Sequence, residues 1–371
     1  MRGWTAVVPV PALRPVKKGS RAVVLAEGCY GRTQGKTANG LLRKSLLFRI
    51  VGVIDSTLAG KDAGEALDGR RNGVPIVKDT KAALGMKPSW LIIGIASIGG
   101  RLPKGFRPVV LSALKEGIGV VSGLHEKLSD DPEFARVASR NGAKILDIRQ
   151  PPYPLAKAHQ FSDLCGKLRA KRVPILGTDG AVGKRTTAWL LSDSLNTMGV
   201  KARMVATGQT GLLQGAEYGI ALDSIKGDYM VGELEFEIDR AAKEADPEVI
   251  VVEGQGSISH PAYVCGSRAI INASQPSGIV MQHAPGRKFR NYGKGTLQLP
   301  MPDPVREIQL LEVFSGSRVL GISVNHEGLS PSDVSAWCAR SKENYGVPAW
   351  DPLSEGGKSL AAHVSSSLGI R

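Results

Sequence analysis

The stretch that decides the fold runs from Val173 to Leu191 and reads Val-Pro-Ile-Leu-Gly177-Thr-Asp-Gly180-Ala-Val-Gly183-Lys184-Arg-Thr-Thr-Ala-Trp-Leu-Leu. The apolar run 173–176 suits a short buried strand, and the three glycines that follow let the backbone turn tightly with its N–H groups pointing inward. Lys184 comes directly after the last glycine, and residues 186–191 open a helix whose positive end would face the same anion. Strand, glycine loop, lysine and helix in this order make a phosphate cradle. Two details depart from the usual pattern. Five residues rather than four separate Gly177 from Gly183, and Arg185 stands where a Ser or Thr is expected. Gly177, Thr178, Asp179, Gly180, Ala181, Val182, Gly183, Lys184, Arg185, Thr186 and Thr187 are therefore the expected cofactor-binding segment.

Downstream of this cradle, residues 202–206 read as a strand leading into the polar turn Thr207-Gly-Gln-Thr-Gly211. Strand ends of an open parallel sheet face the ligand crevice, which makes Gln209 and Thr210 candidate substrate contacts. Residues 249–253, Val-Ile-Val-Val-Glu, form a central strand ending in an acid, followed by Gly254-Gln255-Gly-Ser257-Ile-Ser-His260-Pro. P-loop proteins place a magnesium- or water-holding group at such a strand end, so Glu253 is a candidate catalytic residue. His260, before a proline in a polar turn, is a second, with loop capping as its plainer role. Strand 278–282 leads to His283-Ala-Pro-Gly-Arg287-Lys-Phe-Arg290, the densest basic cluster of the second half, where Arg287 is a candidate anion contact. The last long strand, 319–325, ends at Asn325 and precedes a helix capped near Ser330 or Ser332.

Upstream, residues 21–27 read as a strand entering the turn Gly28-Cys-Tyr-Gly31-Arg-Thr-Gln-Gly35-Lys36-Thr37 and a helix to Leu42. Six residues separate Gly28 from Gly35, so the Gly-Lys-Thr is not a second P-loop. Strand 48–55 ends in Asp55, the place where a dinucleotide fold would hold a ribose hydroxyl. Further strands at 74–77, 90–95, 119–121 and 144–147 alternate with helices at 108–116 and 132–140, which implies a parallel sheet covered on both faces. Arg149-Gln-Pro-Pro-Tyr-Pro154 cannot continue regular structure and reads as a linker. The expected fold class is α/β, with a Rossmann-like parallel-sheet domain at 1–150 and a P-loop NTPase-like parallel-sheet domain at 151–371.

A chain of 371 residues is long enough for two cores of this kind. No apolar run reaches the roughly 20 residues of a membrane span. The first twenty residues, with Pro9, Pro11 and Pro15, lack the pattern of a secretion signal, which makes a cytoplasmic protein the expectation. Cys29, Cys165, Cys265 and Cys338 lie far apart and form no metal-ligand pattern. The net charge of +14 is uneven: residues 1–172 hold 30 Lys/Arg against 13 Asp/Glu, and the rest hold 18 against 21. Because the cations are scattered and aromatics make up only 5%, the excess argues for an anionic substrate or partner rather than for nucleic acid.

Two family resemblances rest on these residues. The loop from Gly177 to Lys184 is similar to the Gly-Thr-Asp-x-x-Val-Gly-Lys loop of dethiobiotin synthetase, Glu253-Gly-Gln-Gly resembles its Glu-Gly-Ala-Gly, and Asn325 falls where that group contacts adenine. More closely, the chain resembles the DgcN-like D-glutamate N-acetyltransferase family, once described only as a domain of unknown function. Its members carry Gly-Thr-Asp-x-Ala-Val-Gly-Lys-x-Thr-Thr, Ala-Thr-Gly-Gln-Thr-Gly and Val-Glu-Gly-Gln-Gly-Ser-x-x-His-Pro-Ala-Tyr, which occur here at 177–187, 206–211 and 252–263. The resemblance implies transfer of acetyl from acetyl-CoA to the amine of an acidic D-amino acid such as D-glutamate. The P-loop and Asn325 would hold the cofactor, with Glu253, His260 and Lys184 as catalytic groups and Gln209, Thr210, Gln255, Ser257 and Arg287 as substrate contacts. The alternative is an ATP-dependent ligase or kinase with magnesium held by Asp179, Thr186 and Glu253. A small acidic amino acid is the expected partner, and a homo-oligomer is compatible with either reading.

Overall fold

The computed structural model describes residues 10–292 and 297–370. The first half of the stretch read as lacking a secretion signal lies outside the described residues. Among them the chain divides into two compact units. One runs to Pro154 and takes in Gln209–Glu217; the other holds Leu155–Gly208 and the chain from Tyr218 onward.

The first unit is built on six parallel strands: β1 (Ser20–Leu25), β2 (Phe48–Ile54), β3 (Ile76–Val77), β4 (Trp90–Ile93), β5 (Gly119–Ser122) and β6 (Ile145–Asp147). Their order, β3-β2-β1-β4-β5-β6, reverses direction between β1 and β4, which is the doubly wound Rossmann-like arrangement. Strands β1, β4 and β5 read as continuous apolar runs because helices cover both faces, and Val23, Leu91, Ile92 and Val120 are fully buried. The Rossmann-like expectation holds.

The second unit is a seven-stranded parallel sheet of β7 (Lys171–Gly177), β8 (Ala202–Ala206), β9 (Tyr218–Gly219), β10 (Val249–Glu253), β11 (Ile279–His283), β12 (Val319–Val324) and β13 (Ala349–Trp350). Their order is β13-β12-β11-β7-β10-β8-β9, which puts the P-loop strand β7 at the centre between β11 and β10. Pro174 lies inside β7, where a missing N–H is normally unfavourable, but the ladder to β11 begins only after it, at Ile175. Val173, Ile175, Leu176, Val251 and Val252 are fully buried, so the strand reads as unbroken apolar sequence. Register then fixes the site. Glu253 pairs with Ile175 and Gln282 with Gly177, which brings the loops after β7, β8, β10, β11 and β12 to one edge of the sheet.

The four cysteines are free. No helix of the described residues is long and apolar enough to cross a membrane.

Candidate functional site

The loop after β7 folds as its glycines require. Gly183 has φ +113 and Ala181 φ +52, a succession of left-handed residues that turns neighbouring N–H groups toward one side. Gly177 is obligatory for another reason: a Cβ there would come within 2.6 Å of the Gln282 carbonyl oxygen. Thr178 donates its N–H to that same carbonyl at 3.1 Å, and its hydroxyl meets His283 Nδ1 at 3.0 Å. Burial pushes His283 down to about 4, so the imidazole at this position is neutral.

The helix Lys184–Thr197 begins at the lysine itself, two residues earlier than the sequence predicts. Lys184 is buried, and its Nζ donates to the carbonyl oxygens of Asp179 (2.5 Å) and Gly256 (2.8 Å). Gly254 leaves room for it, since a Cβ there would lie 2.9 Å from Lys184 Cδ and 1.9 Å from the Ile175 carbonyl. Arg185 and Thr186 occupy the first helical turn, and both are half-buried. Thr187 is buried and donates to Gln282 Oε1 at 2.6 Å, tying the helix to β11. Gly180 faces the Tyr263 ring, and a Cβ added there would meet that ring at 3.6 Å, an ordinary contact distance.

Asp179 and His260 are the polar centre. Both side chains are fully buried, and Asp179 Oδ1 stands 3.6 Å from His260 Nε2, beyond hydrogen-bond length. Neither atom has a hydrogen-bond partner. Asp179 Oδ2 accepts the Asn291 N–H at 2.6 Å, with Arg287 Nη1 3.6 Å away. His260 Nδ1 accepts the Ala262 N–H at 3.0 Å, so the neutral ring carries its proton on Nε2, facing Asp179. Burial, with the charges of Arg290 and Lys184, holds His260 below its ordinary value against the pull of Asp179. Tyr263 and Tyr292 wall this pair, with ring centroids 4.5 and 5.5 Å from that of His260.

Glu253 ends β10 with Oε2 accepting the N–H groups of Thr207 (3.0 Å) and Gly208 (3.2 Å). Gln255 Nε2 donates to the Thr207 carbonyl, and Ser257 Oγ accepts from Arg290 Nη1 at 2.7 Å. Arg287 lies across the loop, donating to the carbonyls of Gly180 (3.2 Å) and Ala181 (2.9 Å) and pairing with Glu327 at 2.5 Å. Asn325 Nδ2 donates to the Val182 carbonyl at 2.9 Å. These predicted residues therefore share one edge of the second sheet.

Gln209 and Thr210 are grouped with the first unit. They belong to the segment Gln209–Glu217 that packs within the first unit, where Thr210 Oγ1 meets Thr37 Oγ1 at 3.0 Å and Gln209 Oε1 lies against Gly123. Asp55, the ribose-holding position of a dinucleotide fold, has both oxygens occupied by its own chain: Tyr30 N–H at 3.0 Å, Thr57 N–H at 3.0 Å and Thr57 Oγ1 at 2.6 Å.

Sequence reasoning missed Asn291, Tyr292 and Glu307. From the sequence Arg290 is one member of a basic cluster. In the fold its guanidinium is buried, bridging Ser257 and Ser259 at 2.7 Å each, while Ser259 donates to the fully buried carboxyl of Glu307. Burial pushes Glu307 up. The sequence signal available was the direct continuation of the cluster into Asn291-Tyr292.

A central glycine loop with a buried lysine, on an all-parallel sheet preceded by a Rossmann-like unit, defines a two-part P-loop protein. Comparison with known families makes this particular: a model described as a domain of unknown function (DUF1611_C), P-loop domain, matches residues 155–361, a DUF1611_N Rossmann-like model matches 56–151, and the chain belongs to this family. Two proteins named D-glutamate N-acetyltransferase are each 32% identical to it. One, from Tritonibacter scottomollicae, aligns over 271 residues, 72% of this chain and 78% of that protein. The other, from a Pseudoalteromonas species, aligns over 288 residues, 76% and 82%. The crystal structure of a DUF1611 family protein from Anabaena variabilis matches with a TM-score of 0.85 and 32% identity, covering 94% of this chain and all of that one.

Proposed function

We propose that the chain is a cytoplasmic N-acetyltransferase that moves acetyl from acetyl-CoA to the amine of an acidic D-amino acid such as D-glutamate. The name carried by two relatives, 32% identical over about three quarters of this chain, supports the reaction class. The observation that carries the choice of cofactor is Arg185, at the position where phosphoryl-transfer loops present a magnesium-binding hydroxyl. A guanidinium beside a diphosphate supplies positive charge without a metal. The left-handed turn at Ala181 and Gly183 suits an anionic ligand at this loop, and the orphaned Asp179 Oδ1 and His260 Nε2 suit a ligand that both donates and accepts hydrogen bonds.

In this reading the loop N–H groups and Lys184 hold the diphosphate, with Lys184 exchanging its two carbonyl contacts for phosphate oxygens. Bound acetyl-CoA supplies an activated thioester carbonyl. Glu253, steered by the Thr207 and Gly208 N–H groups on Oε2, takes the proton from the substrate ammonium; the freed amine forms the C–N bond to the thioester carbon as the C–S bond breaks, the proton held by Glu253 goes to the departing thiolate, and the second amine proton goes to solvent. His260 acts as a donor rather than a base, since its neutral tautomer presents Nε2–H; it stabilises developing negative charge on oxygen. Arg287, keeping its pair with Glu327, offers Nη1 to a substrate carboxylate in place of the Gly180 carbonyl, and Gln255 and Ser257 line the same edge.

The assay is thiol release from acetyl-CoA with D-glutamate in excess EDTA. Turnover independent of magnesium is expected, and Glu253→Gln should lower kcat by about 10²-fold while leaving acetyl-CoA affinity nearly unchanged. No thiol release, with ATP consumed once magnesium is restored, would transfer the chain to the ATP-dependent ligase reading.

A further inference from the structure

Coenzyme A differs from ATP and ADP in carrying a phosphomonoester on its ribose in addition to the diphosphate. A loop that holds only the diphosphate does not distinguish these ligands. A cation outside the loop, on the same edge of the sheet, would.

The segment after β12 has that position. Asn325 donates to the Val182 carbonyl of the P-loop, and Glu327 pairs with Arg287, which itself donates to the Gly180 and Ala181 carbonyls. Residue 326 is thus held between two tethers to the loop, and it is a histidine with a side chain 43% exposed. Its Nδ1 lies 2.6 Å from Oδ2 of Asp351, whose side chain is only 3% exposed. Asp351 is an acceptor on every side: Oδ1 takes the Leu353 N–H at 3.1 Å as a helix cap, and Oδ2 also takes the Ser354 hydroxyl at 2.6 Å. Nδ1 must therefore be the donor, which fixes the ring and leaves Nε2 as the outward atom. An imidazole held in this way has its plane fixed and presents Nε2 to a bound phosphomonoester, to which it donates when the ring holds both protons.

The charged side chains around the loop have other tasks. In the acetyl-CoA reading Lys184 and Arg185 serve the diphosphate and Arg287 a substrate carboxylate, while Arg290 is buried between Ser257 and Ser259. We infer that His326, oriented by Asp351, is a phosphomonoester contact that reads the 3′-phosphate of coenzyme A and so selects it over ligands that carry a diphosphate alone. The inference rests on the acetyl-CoA reading above and adds the specificity determinant of that site.

Isothermal titration of the full chain with coenzyme A, 3′-dephospho-coenzyme A, ADP and inorganic phosphate tests it. The wild type should bind coenzyme A about ten-fold tighter than the dephospho form, the effect of one charge-assisted contact. His326→Gln should bring the two affinities to within about two-fold by weakening coenzyme A and leaving the dephospho form unchanged. Asp351→Asn, checked for an unchanged melting temperature, should lose part of the same preference. Equal affinities in the wild type, or a preference that survives in His326→Gln, would overturn the assignment while leaving acetyl-CoA binding intact. ADP binding with no binding of either coenzyme form would remove the acetyl-CoA reading and this inference together. Saturation of the His326 effect by inorganic phosphate alone would make it a free-phosphate site and overturn it as a coenzyme reader.

Discussion

Two glycine turns in this molecule begin alike and end differently. In the first unit, Gly28 to Gly35 follows β1 and leads to Lys36 and a helix; in the second, Gly177 to Gly183 follows β7 and leads to Lys184 and a helix. The first turn is filled by its own chain. Asp55 is saturated by Tyr30 and Thr57, and the loops at the switch point are hydrogen-bonded through Ala38 N–H to Gly94 and Ala96 N–H to Gln34, each at 2.8 Å. The second turn leaves two fully buried polar atoms, Asp179 Oδ1 and His260 Nε2, facing each other without a bond. Buried polar groups are ordinarily satisfied, so the exception agrees with the proposal that a ligand acts at this turn. The two turns differ in unsatisfied polarity, which glycine content does not report.

The steepest test of this contrast compares two alanine substitutions. At Gly35 a Cβ would meet the Cys29 carbonyl oxygen at 2.1 Å, a backbone overlap that no rotamer relieves. Gly35→Ala should therefore destabilise the first unit by about 3 kcal/mol or more in denaturant unfolding. At Gly180 the nearest atom would be the Tyr263 ring at 3.6 Å, and Gly180→Ala should cost under about 1 kcal/mol. Equal losses at the two positions would mean that the P-loop turn is as tightly packed as the N-terminal one.

The lysines give the next largest difference. Lys184→Ala should weaken binding of the phosphorylated cofactor by about 1.5–3 kcal/mol, roughly ten- to a hundred-fold, through loss of a charge-assisted contact. Lys36→Ala should leave that affinity unchanged, since its turn is closed by its own chain. Calorimetry on both variants decides it, and an unchanged affinity in Lys184→Ala would end the P-loop assignment.

How far the sequence reaches depends on the distance over which a feature is encoded. The P-loop, its strand and its helix are contiguous, and periodicity with glycine placement was enough to read them. Ser330 proved to be the helix cap because its partner Asp333 lies one turn away, and the two form a reciprocal capping pair. The Asp179–Asn291 bond joins residues 112 apart, and only the β7–β11 pairing brings those loops together. The tautomer of His260 depends on the Ala262 N–H, a matter of loop geometry that residue types do not specify. Gln209 and Thr210 follow a strand end in the sequence just as ligand contacts do, yet the segment they open packs with Thr37, Gly40 and Leu46 of the first unit. Strand-end position predicts where a loop starts, and packing of the residues beyond it decides where it goes.

The smallest expected effect is also the most discriminating, because it changes one atom of a carboxylate bonded to the first turn and one of a carboxylate within the second. In Asp55→Asn the amide nitrogen must face either the Tyr30 N–H or the Thr57 N–H, setting donor against donor in a fully buried site. Loss of one such bond with a donor left unsatisfied should cost about 1–2 kcal/mol of stability, with cofactor affinity unaltered. In Asp179→Asn the amide oxygen can keep the Asn291 N–H, and the nitrogen takes the place of Oδ1, which has no hydrogen bond to lose; its N–H then faces His260 Nε2–H at 3.6 Å, beyond hydrogen-bond length, so the donor-against-donor cost is smaller than at Asp55. Removing a buried charge also removes its desolvation cost, which offsets the weaker attraction to Arg287 at 3.6 Å. Stability should therefore change by less than about 1 kcal/mol while turnover falls, the pattern of a residue whose strain serves function. Denaturant unfolding of the two variants side by side measures the difference. If Asp179→Asn loses as much stability as Asp55→Asn and keeps its turnover, Asp179 is one more structural carboxylate, and the contrast between the two turns disappears.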